Sequence, residues 1–178
     1  MIVTLIGYRG CGKSSVGPLL AKQMGCQCVD SDDLVEKSAG KSIADIFATE
    51  GENAFRALET AVLIDLLAQD PLVIAAGGGA ILAEANRKRM KAAGPVVWLQ
   101  ASAGILAARI DSDETSTTRR PSLTGKSVQA EVADVLEQRH PLYQHAATLI
   151  VDAESDSPEI IAQNIFRQLP TNSAGVSR

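Results

Sequence analysis

Aromatic side chains are scarce: one Trp, two Tyr and three Phe make up 3% of the chain. The core must therefore be assembled from Ala, Val, Ile and Leu. Cysteine is also rare, and its odd number, three, excludes a disulfide framework. Cys26 and Cys28 stand too close together for a structural zinc site, and there is no second pair to complete one. Positive charge is in deficit: the net charge is -4 and the pI about 5.2. That balance excludes a nucleic-acid binder that works by neutralising phosphates. Long apolar runs are missing, so no segment reads as membrane-spanning. The first residues, Met1 to Ile6, lack the basic region and long apolar stretch of a secretory signal. A cytoplasmic protein with reduced thiols is expected, acting as a monomer on small molecules, with neither nucleic acid nor membrane as partner.

What is present reads as one α/β domain over residues 1–169, followed by a frayed tail at 170–178. Short apolar runs at Ile2 to Ile6, Gln27 to Val29, Leu72 to Ala76, Val96 to Leu99 and Thr148 to Val151 predict five strands. Segments of helical spacing lie between them, for example Ala57, Leu58, Ala61, Val62, Ile64 and Leu66. Strands alternating with helices predict a parallel sheet covered on both faces, a three-layer α/β/α arrangement. The polar stretch from Asp111 to Lys126 interrupts the pattern and reads as a functional lid or a disordered segment.

Gly7-Tyr8-Arg9-Gly10-Cys11-Gly12-Lys13-Ser14 matches the phosphate-binding pattern G-x-x-x-x-G-K-[ST]. A strand runs into it and a helical segment from Lys13 to Met24 leaves it, as the chemistry requires. Glycines let the backbone curl until successive N–H groups face phosphate oxygens, and the helix N-terminus adds partial positive charge. Lys13 would reach the outer phosphates and the Ser14 hydroxyl would ligate Mg2+. At average composition the full pattern arises by chance in well under ~1% of chains this long, so the signal is strong.

The loop alone does not separate a metabolite kinase from a switch GTPase or a motor. The guanine-reading Asn-Lys-x-Asp and the switch Asp-x-x-Gly are both missing from the sequence. The third strand ends in Gly77-Gly78-Gly79 rather than in a magnesium-holding aspartate. The acidic role then falls to Val29-Asp30-Ser31-Asp32-Asp33, at the carboxyl end of the second strand, where parallel sheets bind ligands. Asp30 would hold Mg2+ through water and Asp32 would take a substrate hydroxyl; equally, an Asp here caps the next helix. Arg56 and Glu59 share a helix face, as a solvated ion pair or as a guanidinium fork for a substrate carboxylate. The triple glycine is either a plain turn or a bare-backbone seat for a ligand. Arg119-Arg120-Pro121 lies in the polar stretch, and Arg139-His140-Pro141-Leu142-Tyr143 reads as closing a helix.

Taken in order, these motifs resemble shikimate kinase, from Met1 to about Leu169. The lid sequence Arg-Pro-Ser-Leu-Thr-Gly and the loop Arg-Gly-Cys-Gly-Lys look closest to the enterobacterial second isozyme; many members have Leu where Ser122 stands. The resemblance implies a nucleoside-monophosphate-kinase-like P-loop fold with strand order 2-3-1-4-5. It implies transfer of the ATP γ-phosphate to the 3-hydroxyl of shikimate, with Mg2+ as cofactor. It assigns Gly10, Cys11, Gly12, Lys13, Ser14, Ser15, Arg109 and Arg120 to the nucleotide, and Ser14 and Asp30 to the metal. Asp32, Arg56, Gly77, Gly78, Gly79 and Arg139 hold shikimate, with Lys13, Asp32 and Arg120 as the catalytic set. Its substrate region spans about 32–60 and its lid about 111–126. The rival readings are a kinase of gluconate or a nucleoside monophosphate on the same fold, and a nucleotide-binding regulator without turnover.

Overall fold

The computed structural model describes residues 1–112 and 127–170. Five parallel strands form one sheet: β1 (Ile2–Ile6), β2 (Gln27–Asp30), β3 (Leu72–Ala75), β4 (Val96–Gln100) and β5 (Leu149–Asp152). Their spatial order is β2-β3-β1-β4-β5, as the resemblance implies. The expected strand ends shift by one residue in four cases. In β2 the strand runs on to Asp30, which brings its carboxylate onto the sheet's rim.

The described helices are α1 (Lys13–Met24), α2 (Ser31–Ala39), α3 (Ile43–Thr49), α4 (Gly51–Leu66), α5 (Glu84–Ala93), α6 (Ala103–Ser112), α7 (Val128–Ala146) and α8 (Pro158–Gln168). Alternation along the strands divides the apolar residues between the two faces. Val3, Leu5, Val73, Val97 and Leu99 pack with α1, α6 and α8, through Leu20, Leu106 and Ile165 among others. On the opposite face Ile2, Leu72 and Ile74 pack against Val35, Ile46 and Phe55 of α2, α3 and α4. Ile6, Val96 and Trp98 meet Met90 of α5 and Tyr143 of α7 on that side. Each fully buried Val, Leu or Ile contributes about 1.5–3 kcal/mol of transfer free energy, so aliphatics alone suffice for the core.

Two expectations need correction. Asp111 and Ser112, read as the start of the polar loop, are the last residues of α6. The segment around Pro141 does not close a helix; α7 runs through it to Ala146. Proline removes one rung and costs about 3 kcal/mol in a helix interior. Burial of Tyr143 and Ala146 beyond it offsets that loss. The rest of the expected lid, with Arg119 and Arg120, and the tail from residue 171 lie outside the described residues.

Candidate active site

β1 delivers the chain into the phosphate loop, where Gly10 (φ 79°) and Gly12 (φ 98°) take left-handed conformations that other residues adopt only under strain. Gly12 is also the N-cap of α1, and it offers no side-chain oxygen to the first turn. The starts of α2, α3, α7 and α8 differ: Asp30, Ser42, Ser127 and Ser157 bond their own helix amides. α4 and α5 also begin without a side-chain cap, but at α1 the uncapped turn follows the phosphate loop and carries Lys13, which suits it to an external anion. Lys13 lies folded over the loop, its Nζ donating to Gly7 O at 2.9 Å and Tyr8 O at 3.1 Å, with Cys11 Sγ 3.6 Å away. Cys11 lines the cleft with its side chain buried.

At the end of β2 Asp30 is the N-cap of α2. Its Oδ1 accepts from the Asp32 N–H at 2.9 Å, capping α2, while its Oδ2 accepts from Ser14 Oγ at 3.3 Å. Burial, reinforced by the neighbouring Asp32 charge, raises the Asp30 pKa above the usual carboxylate value. A cation placed beside it would relieve both effects.

The triple glycine forms the opposite wall. Of its three N–H groups, that of Gly77 is engaged within the protein, donating to Ser31 Oγ at 2.8 Å. The Gly78 carbonyl accepts from Arg139 Nη1 at 3.2 Å and from the Tyr143 hydroxyl at 3.0 Å. What the missing side chains provide is room. A Cβ on Gly77 would collide with the Asp32 carboxylate and press on Glu59, and one on Gly79 would overlap the Arg56 guanidinium. Arg56 Nη1 donates to Glu59 Oε2 at 2.8 Å, while its Nε and Nη2 reach Glu52 at 3.2 and 3.1 Å. Burial works against the Arg56 charge, but the Glu59 and Glu52 carboxylates outweigh it and hold its pKa above the usual value. Glu59 is only 1% exposed, so the pair is a built support rather than a solvated surface contact.

A cleft of about 1010 Å³ joins these parts, lined by Lys13, Ser14, Asp30, Asp32, Gly77 and Gly78. Ser15 also lines it. Arg56, Gly79 and Arg139 adjoin it through the glycine turn. At its far end Arg109 bridges two segments, donating to Gly10 O at 3.3 Å and Ala153 O at 2.9 Å. Ala153, Asp156 and Pro158, after β5, complete that end; sequence reasoning missed them because no motif marks them. Ser31 was missed too, although its place between two functional aspartates was a usable signal. Cys28 also borders the cleft, and burial, with the Asp30 charge beside it, pushes its thiol up to about 11. It is a packing group, pressed against Gly17.

The shikimate kinase family model matches residues 9–170. The chain belongs to the shikimate kinase family. It is 45% identical over 168 residues to a shikimate kinase of Rhodopirellula baltica, covering 94% of this chain and 90% of that one. A shikimate kinase 2 of Sodalis glossinidius is 43% identical over 170 residues, 96% of each chain. Among solved structures, the shikimate kinase of Acinetobacter baumannii in complex with shikimate superposes with a TM-score of 0.87. The two are 34% identical, with 93% of this chain and 90% of that chain covered. Apart from Arg120-Pro121, which lies outside the described residues, the motifs that carried the resemblance lie in or beside this family member's cleft.

Proposed function

We infer that this cleft transfers the γ-phosphoryl group of ATP to the 3-hydroxyl of shikimate, giving shikimate 3-phosphate and ADP. The observation that carries the reading is the glycine turn. Asp32, Arg56 and Arg139 all abut it, and it stands against the phosphate loop: a Cβ on Gly78 would lie 3.6 Å from Gly7 O. An alcohol acceptor and a carboxylate grip thus face a phosphate cradle.

In the reaction Lys13 leaves the loop carbonyls for the β- and γ-phosphates, and the loop amides hold the same oxygens. Ser14 Oγ and Asp30, hard oxygen donors 3.3 Å apart, suit Mg2+, which favours one or two protein oxygens plus phosphate over a protein cage. When bound, Mg2+ supplies charge neutralisation on the phosphates. Asp32 orients the acceptor hydroxyl and takes its proton, while Arg56 and Arg139 fix the carboxylate. In-line transfer of this kind asks the protein for positioning and charge more than for covalent chemistry. The base lies over Arg109 against the Ala153 to Pro158 segment. The resemblance assigns Arg120 a role at the γ-phosphate, and the enzyme works as a cytoplasmic monomer.

The deciding experiment is ADP release with shikimate, gluconate and AMP as acceptors. Turnover with shikimate alone is expected; preference for either of the others refutes the acceptor assignment, and silence with all three favours a regulator. Two variants test the walls. Asp30→Asn should raise the Mg2+ concentration needed for half-maximal rate by about tenfold or more, as for other groups that orient a metal's water. An unchanged Mg2+ titration removes Asp30 from the metal site. Gly79→Ala displaces the Arg56 fork, and kcat/KM for shikimate should fall about ten- to a hundredfold, a typical result of misplacing a substrate-holding group. KM for ATP should stay near its original value in the same assay.

A further inference from the structure

The Gly78 carbonyl has two donors, and they are unlike. Gly78 is buried, so its oxygen needs a partner at all times. Tyr143 is fully buried, and its ring stacks on Trp98 of β4 at 5.4 Å between centroids with 16° between planes. The phenol cannot follow a ligand. Arg139, one helical turn earlier on α7, is only partly buried and makes the longer of the two bonds. Burial raises the Tyr143 pKa and outweighs the opposing pull of Arg139, whose guanidinium also contacts the phenol oxygen, so the hydroxyl remains a donor across the working range.

We propose that Tyr143 is a positioning residue: by holding the Gly78 carbonyl permanently, it releases Arg139 to turn its guanidinium onto the acceptor's carboxylate. The inference rests on Arg139 being a carboxylate-binding group, as in the reading above. With Tyr143 present, Arg139 leaves Gly78 O without orphaning it. With phenylalanine there, the same movement strips a buried carbonyl of its second donor, and Arg139 is retained in the turn. Pro141 lies between the two residues and takes one amide out of the α7 ladder, yet the helix continues to Ala146, so Tyr143 stays one turn from Arg139.

The test is a double-mutant cycle read by calorimetric shikimate binding, with ATP binding as the control for a folded site. Tyr143→Phe keeps the ring stacked on Trp98. It should weaken shikimate binding about tenfold, the lower part of the range for an orphaned buried acceptor. ATP affinity should stay within about twofold. Arg139→Ala should weaken shikimate binding strongly, and adding Tyr143→Phe to it should change nothing more, because no guanidinium is left to release. Additive losses in the double variant, or parallel loss of ATP binding in Tyr143→Phe, would show a merely structural tyrosine and overturn the proposal. If Arg139→Ala binds shikimate normally, the carboxylate reading of Arg139 fails first and takes the proposal with it. If Arg139→Ala is impaired but Tyr143→Phe is not, only the proposal fails.

Discussion

Lys13→Met should lower kcat by about a hundred- to a thousandfold, the usual effect of deleting one preorganised charge-stabilising donor from a reaction centre. The fold should survive. The ammonium's hydrogen-bond partners here are two loop carbonyls and a thiol, and its attraction for the Asp30 carboxylate is the least of the influences on that group. ADP release under saturating ATP and shikimate measures the loss, and a thermal melt checks integrity. Turnover within threefold or so of the parent enzyme would refute the phosphate role, since that is about 0.6 kcal/mol of barrier. The position of Lys13 also implies an exchange. It must give up Gly7 O and Tyr8 O to engage phosphates, so the variant should lose more in the transition state than in ATP affinity.

Arg56→Ala should injure both stability and substrate capture. Glu59 is 1% exposed, and removing the guanidinium deletes the 2.8 Å ion pair of a buried carboxylate. Breaking such a pair costs about 3 kcal/mol at the low end of the buried range, apt here because Arg56 keeps 25% of its side chain in water. For a domain of this size that corresponds to a melting point lower by about 6–12 °C. The second effect is a steep rise in the shikimate KM, because the planar fork cannot be replaced by any neighbour. Arg56→Ala combined with Glu59→Leu separates the two. Replacing both partners should recover much of the stability while leaving shikimate capture impaired. Recovery of both would mean that Arg56 serves the fold only.

Much of the site was legible before any coordinates. The phosphate loop is a contiguous motif whose spacing is set by local backbone geometry, so Gly10, Gly12, Lys13 and Ser14 could be read directly. Arg56 and Glu59 sit three residues apart, and helical periodicity put them on one face; the 2.8 Å contact follows from that spacing. Asp30 was left between capping and metal binding because a carboxylate has two oxygens; in the structure Oδ1 caps α2 and Oδ2 accepts from Ser14 Oγ. The helix through Pro141 was misread because proline's local cost is visible in sequence while the compensating burial of Tyr143 is not. The glycines at 77 to 79 were singled out, but the side chains they make room for were not. Their neighbours come from α2, α4 and α7, which no local pattern can bring together.

Taken alone, the order of residues determined everything that depends on short range: alternation of strand and helix, the loop that cradles phosphate, and the charge types available to a substrate. The tertiary structure decided the rest. It set which carboxylate and which guanidinium share the glycine turn, that Ser31 holds the Gly77 amide across 46 residues, and that Tyr143 shares a carbonyl with Arg139 across 65. The physical reason is separation along the chain. Contacts within a few residues are dictated by backbone geometry, whereas distant groups meet only because burying two faces of one sheet leaves a single way for their helices to pack.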